Sequence, residues 1–258
     1  MTAHMTAHVM WEGRVVLVTG GARGVGLGIV RGFADAGATV VTCGRSADPG
    51  LGVRYVRADV RDVSQVDALV AGVADEFGRL DVVVNNAGGA PPVDAATVSP
   101  RLHEKVIALN LIAPLHVSQR ANAVMQAQES GGVIVMIGSV SGTRPSPGTA
   151  AYGAAKAGLA NLATSLAVEW APKVRVNTVV VGPVDTELSH LHYGDEAGVA
   201  AVGATIPAGR MATPADVAQA CMYLASPAAS YITGSSLTVH GGGERPAFLD
   251  ASNAEVGR

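Results

Sequence analysis

The chain has 258 residues, of which 48% are hydrophobic and 15% charged, a balance that suits one α/β domain with a parallel sheet buried on both faces and further apolar surface covered in an oligomer. The net charge of −3 comes with scattered rather than clustered positive charges, which excludes nucleic acid and anionic membrane as expected partners, and Cys43 and Cys221 are too few for a disulfide framework or a zinc site. No segment approaches the roughly 18 consecutive apolar residues of a membrane span, and the opening MTAHMTAHVMWEGR lacks a basic region followed by an apolar core, so the expectation is a cytoplasmic protein with a flexible N-terminus over residues 1–12.

Residues 14–19 (RVVLVT) read as a strand that breaks into Gly20, Gly21, Ala22, Arg23, Gly24, Val25 and Gly26 before a helical pattern through about residue 36. A strand, a glycine turn and a helix in that order make a dinucleotide phosphate site: the glycines let backbone approach a pyrophosphate, and the helix N-terminus offers free N–H groups and a favourable dipole. The spacing here is GxxxGxG. Residues 38–43 (ATVVTC) read as the second strand, ending at Gly44 and Arg45. No acidic residue stands there to bind the adenosine ribose hydroxyls, whereas Arg45 with Arg23 can pair with a 2′-phosphate, which favours NADP(H) and leaves NAD(H) as the alternative.

A third strand at 53–57 (VRYVR) ends at Ala58, Asp59 and Val60, with Asp59 placed to accept from an adenine amino group or to serve as an ordinary turn residue. A helical stretch covers 63–77, and a strand at 81–84 (DVVV) runs into Asn85, Asn86, Ala87, Gly88 and Gly89, where small residues again admit a ligand close to backbone. The longest helical pattern, 100–128, contains Asn110 in an apolar setting, and a buried asparagine needs partners. It can bind backbone or mark a locally opened turn, because Pro114 four residues on cannot donate to the Asn110 carbonyl.

The apolar run 133–137 (VIVMI) reads as a buried strand delivering Ser139, and Tyr152 and Lys156 lie one helical turn apart on the next helix. An ammonium beside a tyrosine favours the phenolate and brings the hydroxyl toward proton exchange at neutral pH, while Ser139 can hold a carbonyl oxygen that Tyr152 protonates. The helix runs to about Trp170, and a strand at 174–181 leads to Gly182, Pro183, Val184, Asp185 and Thr186. Residues 187–212 read as a lid over a substrate pocket; His190 and His192 have no third ligand at a sensible position, so no metal is expected. Thr213, Pro214 and Asp216 open another helix, 236–240 (SLTVH) is the last strand, and 244–258 forms a polar tail.

Taken together, TGGARGVG at 19–26, Asp59 with Val60, NNAG at 85–88, Asn110, Ser139, YGAAK at 152–156 and TGSSLTVHGG at 233–242 resemble the short-chain dehydrogenase/reductase family over roughly residues 11–243. IPAGRMATPADVA at 206–218 is similar to the branch that includes 3-oxoacyl-carrier-protein reductases. The resemblance implies a doubly wound Rossmann-type domain over 13–243 with a seven-stranded parallel sheet, a nicotinamide cofactor and a small-molecule carbonyl or alcohol substrate. It also implies a homotetramer built through two long central helices. It implies a tetrad of Asn110, Ser139, Tyr152 and Lys156, in which Tyr152 is general acid or base, Lys156 binds the nicotinamide ribose and lowers the tyrosine pKa, Ser139 polarises the substrate oxygen and Asn110 holds a relay water. Thr19, Gly20, Arg23, Gly24, Val25, Gly26, Arg45, Asp59, Val60, Asn86, Ala87 and Gly88 would contact the cofactor, and Gly182, Val184 and Thr186 its carboxamide. Val181 stands before Gly182 where the family usually has proline, with Pro183 after it, which shifts the rigid residue at the base of the lid. The alternatives are an NAD(H)-linked secondary-alcohol or hydroxysteroid dehydrogenase and, outside enzymes, a cofactor-sensing scaffold.

Overall fold

Runs of β-branched residues bounded by glycine or polar turns form seven strands: β1 Val15–Thr19, β2 Thr39–Gly44, β3 Arg54–Arg57, β4 Val82–Asn85, β5 Gly132–Ser139, β6 Val174–Val181 and β7 Ser236–Val239. In this computed structural model, which describes residues 10–244 and 246–251, they pair in the order β3-β2-β1-β4-β5-β6-β7 with every pair parallel. The helices are α1 Gly24–Asp35, α2 Val63–Phe77, α3 Pro100–Ile107, α4 Ala113–Ala127, α5 Ala150–Trp170, α6 His190–Tyr193, α7 Glu196–Thr205, α8 Pro214–Ala225 and α9 Ala247–Ala251. This is the doubly wound architecture expected. The expectations for residues 1–9, Arg245 and 252–258 lie outside the described residues.

Alternate strand residues feed two cores. Leu17, Val41, Val83, Ile134 and Val176 pack against Leu69 and Val73 of α2, Val117 of α4 and Leu159 of α5. Val16, Val18, Val84, Val135 and Val179 pack against Ile29 and Phe33 of α1 and Val217 and Leu224 of α8. The α1–α8 contact depends on small residues, since a Cβ on Gly28 would stand 2.3 Å from the Pro214 Cβ and one on Gly32 would stand 2.9 Å from the Ala218 Cβ. Trp11 corrects the expected boundary at residue 13: it is 4% exposed and meets the Phe33 ring edge-on at 4.8 Å, so packing begins inside the segment assigned to a flexible end.

The stretch 100–128 is not one helix but α3, a π-helical turn over Ala108–Ile112, and α4. Pro114 lacks the N–H that would close on Asn110, and the Ala113 N–H reaches back to the Ala108 carbonyl instead. The segment 187–212, expected as a lid, likewise has order: α6 and α7 lie within it, and its base is closed by a bridge between Val184 and Ala212 with hydrogen bonds from Asp185 N–H to Ala212 O (2.8 Å) and Ala212 N–H to Pro183 O (3.0 Å). No helix among the described residues is long and apolar enough to cross a membrane.

At the amino ends of β1 and β4, Asp81 is buried to 4% exposure and accepts from Arg79 Nε (2.7 Å), Arg79 Nη2 (2.6 Å), Arg14 Nη1 (2.9 Å) and the Val15 N–H (2.9 Å). Burial alone would raise its pKa, but the Arg79 hydrogen bonds, the Val15 N–H and Arg14 outweigh it and hold the carboxyl below its ordinary 3.8. Its contribution to stability is therefore present above that ordinary value and lost as pH falls through the lower folded one. Replacing Asp81 with Ala leaves the Val15 N–H without its acceptor and two solvent-exposed guanidinium groups without theirs, and is expected to cost about 1–2 kcal/mol in urea unfolding at neutral pH. The difference from wild type should shrink at acid pH.

Candidate active site

The strand order reverses between β1 and β4, so the connections leaving their carboxyl ends run to opposite faces of the sheet and leave a crevice between them. Two loops line it and are tied together. Thr19 Oγ1 accepts from the Asn86 and Ala87 N–H groups, both at 3.0 Å, and Asn86 Nδ2 donates to the carbonyls of Thr19 (2.9 Å) and Gly20 (3.1 Å). Gly20 sits at φ +69°, and a Cβ there would stand 3.0 Å from the Ala87 Cα, so the two loops approach to a distance only glycine permits. The sequence-assigned residues Thr19, Gly20, Asn86, Ala87 and Gly88 are thus brought to one place.

The first intrahelical bond of α1 runs from Leu27 N–H to Arg23 O, so the N–H groups of Gly24, Val25 and Gly26 precede the ladder. One is already taken by an anion: Gly24 N–H donates to Glu187 Oε1 at 2.9 Å. This stand-in carboxylate, with the close-packed glycine loop beneath it, fits the binding of a dinucleotide pyrophosphate. Arg23 and Arg45 are both exposed at the rim. Arg57, which the sequence reading did not single out, joins them by donating from Nε to the Arg45 carbonyl at 3.0 Å, while Tyr55 fixes the same turn through its hydroxyl on Ser46 O at 3.1 Å. Asp59 is not free: its carboxylate accepts from Arg61 Nε and the Arg61 N–H, both at 3.0 Å, and the Arg61 hydrogen bonds hold it below the usual carboxylate range. Val60 beside it is buried.

On the other flank, Asn110 is fully buried and its carboxamide is saturated by backbone. Nδ2 donates to Gly89 O and Val106 O, both at 2.9 Å, and Oδ1 accepts from Gly89 N–H at 2.9 Å. The side chain therefore joins the π-helical turn to the NNAG loop, and its main-chain carbonyl, which Pro114 cannot satisfy, is what it has to offer a ligand or water. A Cβ on Gly88 would stand 2.7 Å from Asn110 Oδ1 and 3.3 Å from Lys156 Nζ, which puts this glycine, the asparagine and the lysine in one cluster.

Ser139 ends β5 and its Oγ accepts from the Ser141 N–H at 3.1 Å. Lys156 is buried on α5, donates from Nζ to Ile137 O at 2.8 Å, and stands 5.5 Å from the centroid of the Tyr152 ring. The resemblance implies that the lysine lowers the tyrosine pKa; in the free protein desolvation is the leading influence on both groups. Burial pushes the Tyr152 hydroxyl up, with the Ser139 hydroxyl pulling it back in part, and burial pushes Lys156 down from 10.5 to about 8.

Beyond Tyr152 an apolar crevice is lined by Val93, Leu102, Val106, Ala151 and His103. From α6, Tyr193 is half-buried near Tyr152 and the Arg144–Glu244 ion pair. Gly182 passes so close to His240 that a Cβ would stand 2.8 Å from the His240 Cβ, and Thr186 is held by its N–H on Ser189 Oγ at 2.8 Å. Ser189, 4% exposed, and Glu187 are further residues the sequence reading missed; neither carries a motif of its own. Among the described residues no group of three His, Cys, Asp or Glu side chains is placed to hold a metal ion.

A family model described as Enoyl-(Acyl carrier protein) reductase matches residues 20–244. A 3-oxoacyl-[acyl-carrier-protein] reductase of Mycobacterium bovis is 38% identical over 245 residues, covering 94% of this chain and 98% of its own. A 3α-hydroxysteroid dehydrogenase of Mediterraneibacter gnavus is 34% identical over 247 residues, covering 90% and 98%. Among solved structures, the ligand-free aldohexose dehydrogenase of Thermoplasma acidophilum superposes with a TM-score of 0.86 at 30% identity, covering 97% of this chain and 98% of that one.

The buried lysine makes a pH-dependent contribution that can be measured. With a folded pKa of about 8 against 10.5, its stabilising share is complete above 10.5 and lost as pH falls through 8. The unfolding free energy of wild type relative to Lys156→Met should therefore rise by roughly 3 kcal/mol between pH 7 and pH 10.5. A difference that stays flat across that window would contradict a desolvated ammonium.

Proposed function

The chain belongs to the short-chain dehydrogenase/reductase family and is an oxidoreductase, and from that premise we propose that it moves a hydride between NADP(H) and a carbonyl or secondary alcohol, with Tyr152 exchanging the proton. The observation that carries this reading is the meeting of Ser139, Tyr152 and Lys156 beside a crevice whose facing wall is the glycine loop. When bound there, the dinucleotide supplies or accepts the hydride.

The chain's own residues do the rest. Gly24, Val25 and Gly26 would receive the pyrophosphate on backbone N–H groups, with Thr19, Gly20 and Arg23 beside it; Asp59 and Val60 would border the adenine, and Asn86, Ala87 and Gly88 would line the path to the reacting end. Gly182, Val184 and Thr186 dock the carboxamide. Ser139 Oγ accepts from Ser141, which leaves its own proton to donate to the substrate oxygen. Tyr152, kept protonated by burial, gives its proton to the same oxygen as negative charge develops there. Lys156 reaches the nicotinamide ribose from Nζ, and the freed Asn110 carbonyl holds the water that connects it to solvent.

Three exposed guanidinium groups, Arg23, Arg45 and Arg57, support the choice of NADP(H), since a 2′-phosphate would find at least two of them. The apolar side chains Val93, Leu102 and Val106 beside Tyr152 suit a substrate with an apolar arm, as a 3-oxoacyl thioester has; the space between them is about 10 Å³ in the free protein and would have to open around such an arm. The names of the relatives divide among thioester, steroid and sugar, and those apolar neighbours are what favours the thioester. Assembly as a homotetramer through α4 and α5 is part of the same reading, and Val168 on α5, 82% exposed, is the kind of residue such an interface would cover.

Two measurements test the proposal. In calorimetric titrations NADPH should bind more tightly than NADH, and Arg45→Ala or Arg57→Ala should weaken NADPH by about 10-fold while leaving NADH unchanged. NADH binding as tightly as NADPH would instead favour an NAD(H)-linked alcohol dehydrogenase. Tyr152→Phe should lower turnover of any accepted carbonyl by about 100- to 10,000-fold with dinucleotide affinity retained. Turnover at the wild-type level would remove Tyr152 from the chemistry.

A further inference from the structure

The contact between Glu187 and Gly24 has no part in the chemistry above, yet it occupies the donor that chemistry needs. Glu187 follows Thr186 at the start of the lid, 163 residues from Gly24 in sequence, and its Oε1 accepts the Gly24 N–H at 2.9 Å. It is not presented by a loose loop. The Thr186 N–H is held on Ser189 Oγ at 2.8 Å, the Leu188 N–H on Thr186 Oγ1 at 3.3 Å, and Ser189 is buried. A Cβ on Gly24 would stand 3.8 Å from Thr186 Cγ2, so the start of the lid lies beside the start of α1 with room for no more than a small group between them.

We propose that Glu187 is a positioning residue that holds the lid on the N-terminus of α1 in the free protein and must leave that N–H for the dinucleotide pyrophosphate to take it. This rests on the dinucleotide reading of the site. One N–H cannot serve a carboxylate and a phosphate oxygen at full strength, and the two anions repel each other at this distance. Dinucleotide entry therefore breaks the tie between lid and α1, and dinucleotide departure restores it. The carboxylate weakens cofactor affinity by the free energy of its own contact and makes the position of the lid depend on whether cofactor is bound.

The test uses Glu187→Ala and Glu187→Gln in the full-length protein, with equilibrium titration of NADPH and NADH and thermal unfolding with and without saturating dinucleotide. Both variants should bind both dinucleotides more tightly, by about 3- to 10-fold for the alanine, because the pyrophosphate is common to them. The free variants should melt at lower temperature than free wild type, while the saturated forms melt together. Unchanged or weaker binding overturns the proposal, as does an equal loss of melting temperature in free and saturated forms, which is what a helix cap that does not compete with cofactor would give. Failure of the function reading is read separately: wild type binding neither dinucleotide would remove the site itself, and the Glu187 proposal with it.

Discussion

Parallel pairing of β1 with β4 at the centre of the sheet is the constraint from which the site follows. Every pairing runs the same way, so every strand delivers its carboxyl end to one edge, and the reversal of strand order at this pair opens that edge between the two loops. The opening is narrow because Thr19 and Asn86 lace the loops together, and it is deep because glycine at position 20 lets Ala87 come to backbone contact. Ser139 at the end of β5, and the α5 pair that follows, are brought to the same rim by the next parallel pairings.

Within that rim, burial sets the chemistry more than charge does. Lys156 sits where an ammonium is costly and meets the cost with a single carbonyl, so it stands close to losing its proton at mildly alkaline pH. Tyr152 is pushed the other way by the same desolvation. A bound ligand that brought polar groups to Nζ would relieve the lysine and change the field at the tyrosine, so the free protein's titration is a starting state rather than the working one. Asn110 shows the same economy. Its side chain is consumed in holding two loops together, and what it leaves to a ligand is the main-chain carbonyl at a helix irregularity.

Local sequence carried most of the architecture because its signals are local. VIVMI, GGARGVG and the Tyr152/Lys156 spacing each specify a strand, a glycine turn into a helix or a helix face without reference to distant residues. What escaped was decided across the fold. Trp11 was assigned to a flexible end because its partner Phe33 lies on another element, and Arg57 and Glu187 acquire meaning only from backbone groups of Arg45 and Gly24. The surroundings of Tyr152 are illegible for the same reason: spacing places a lysine nearby but does not say which carbonyl engages it, nor how much water is excluded. The interrupted helix at Asn110 was half legible, since Pro114 marks the break but the partners on Gly89 and Val106 come from tertiary contact.

Asp81 and its two arginines lie at the amino ends of β1 and β4, the opposite edge of the sheet from Tyr152 and the glycine loop. The fold is thus pinned at one edge and left to vary at the other. Lineages that acquire new substrates can redraw the rim, the apolar crevice and the segment 187–212 while the clamp at the far edge keeps the same strands in the same register. Laboratory evolution of this scaffold would accordingly be best confined to the carboxyl-end loops, with residues 14, 79 and 81 held fixed.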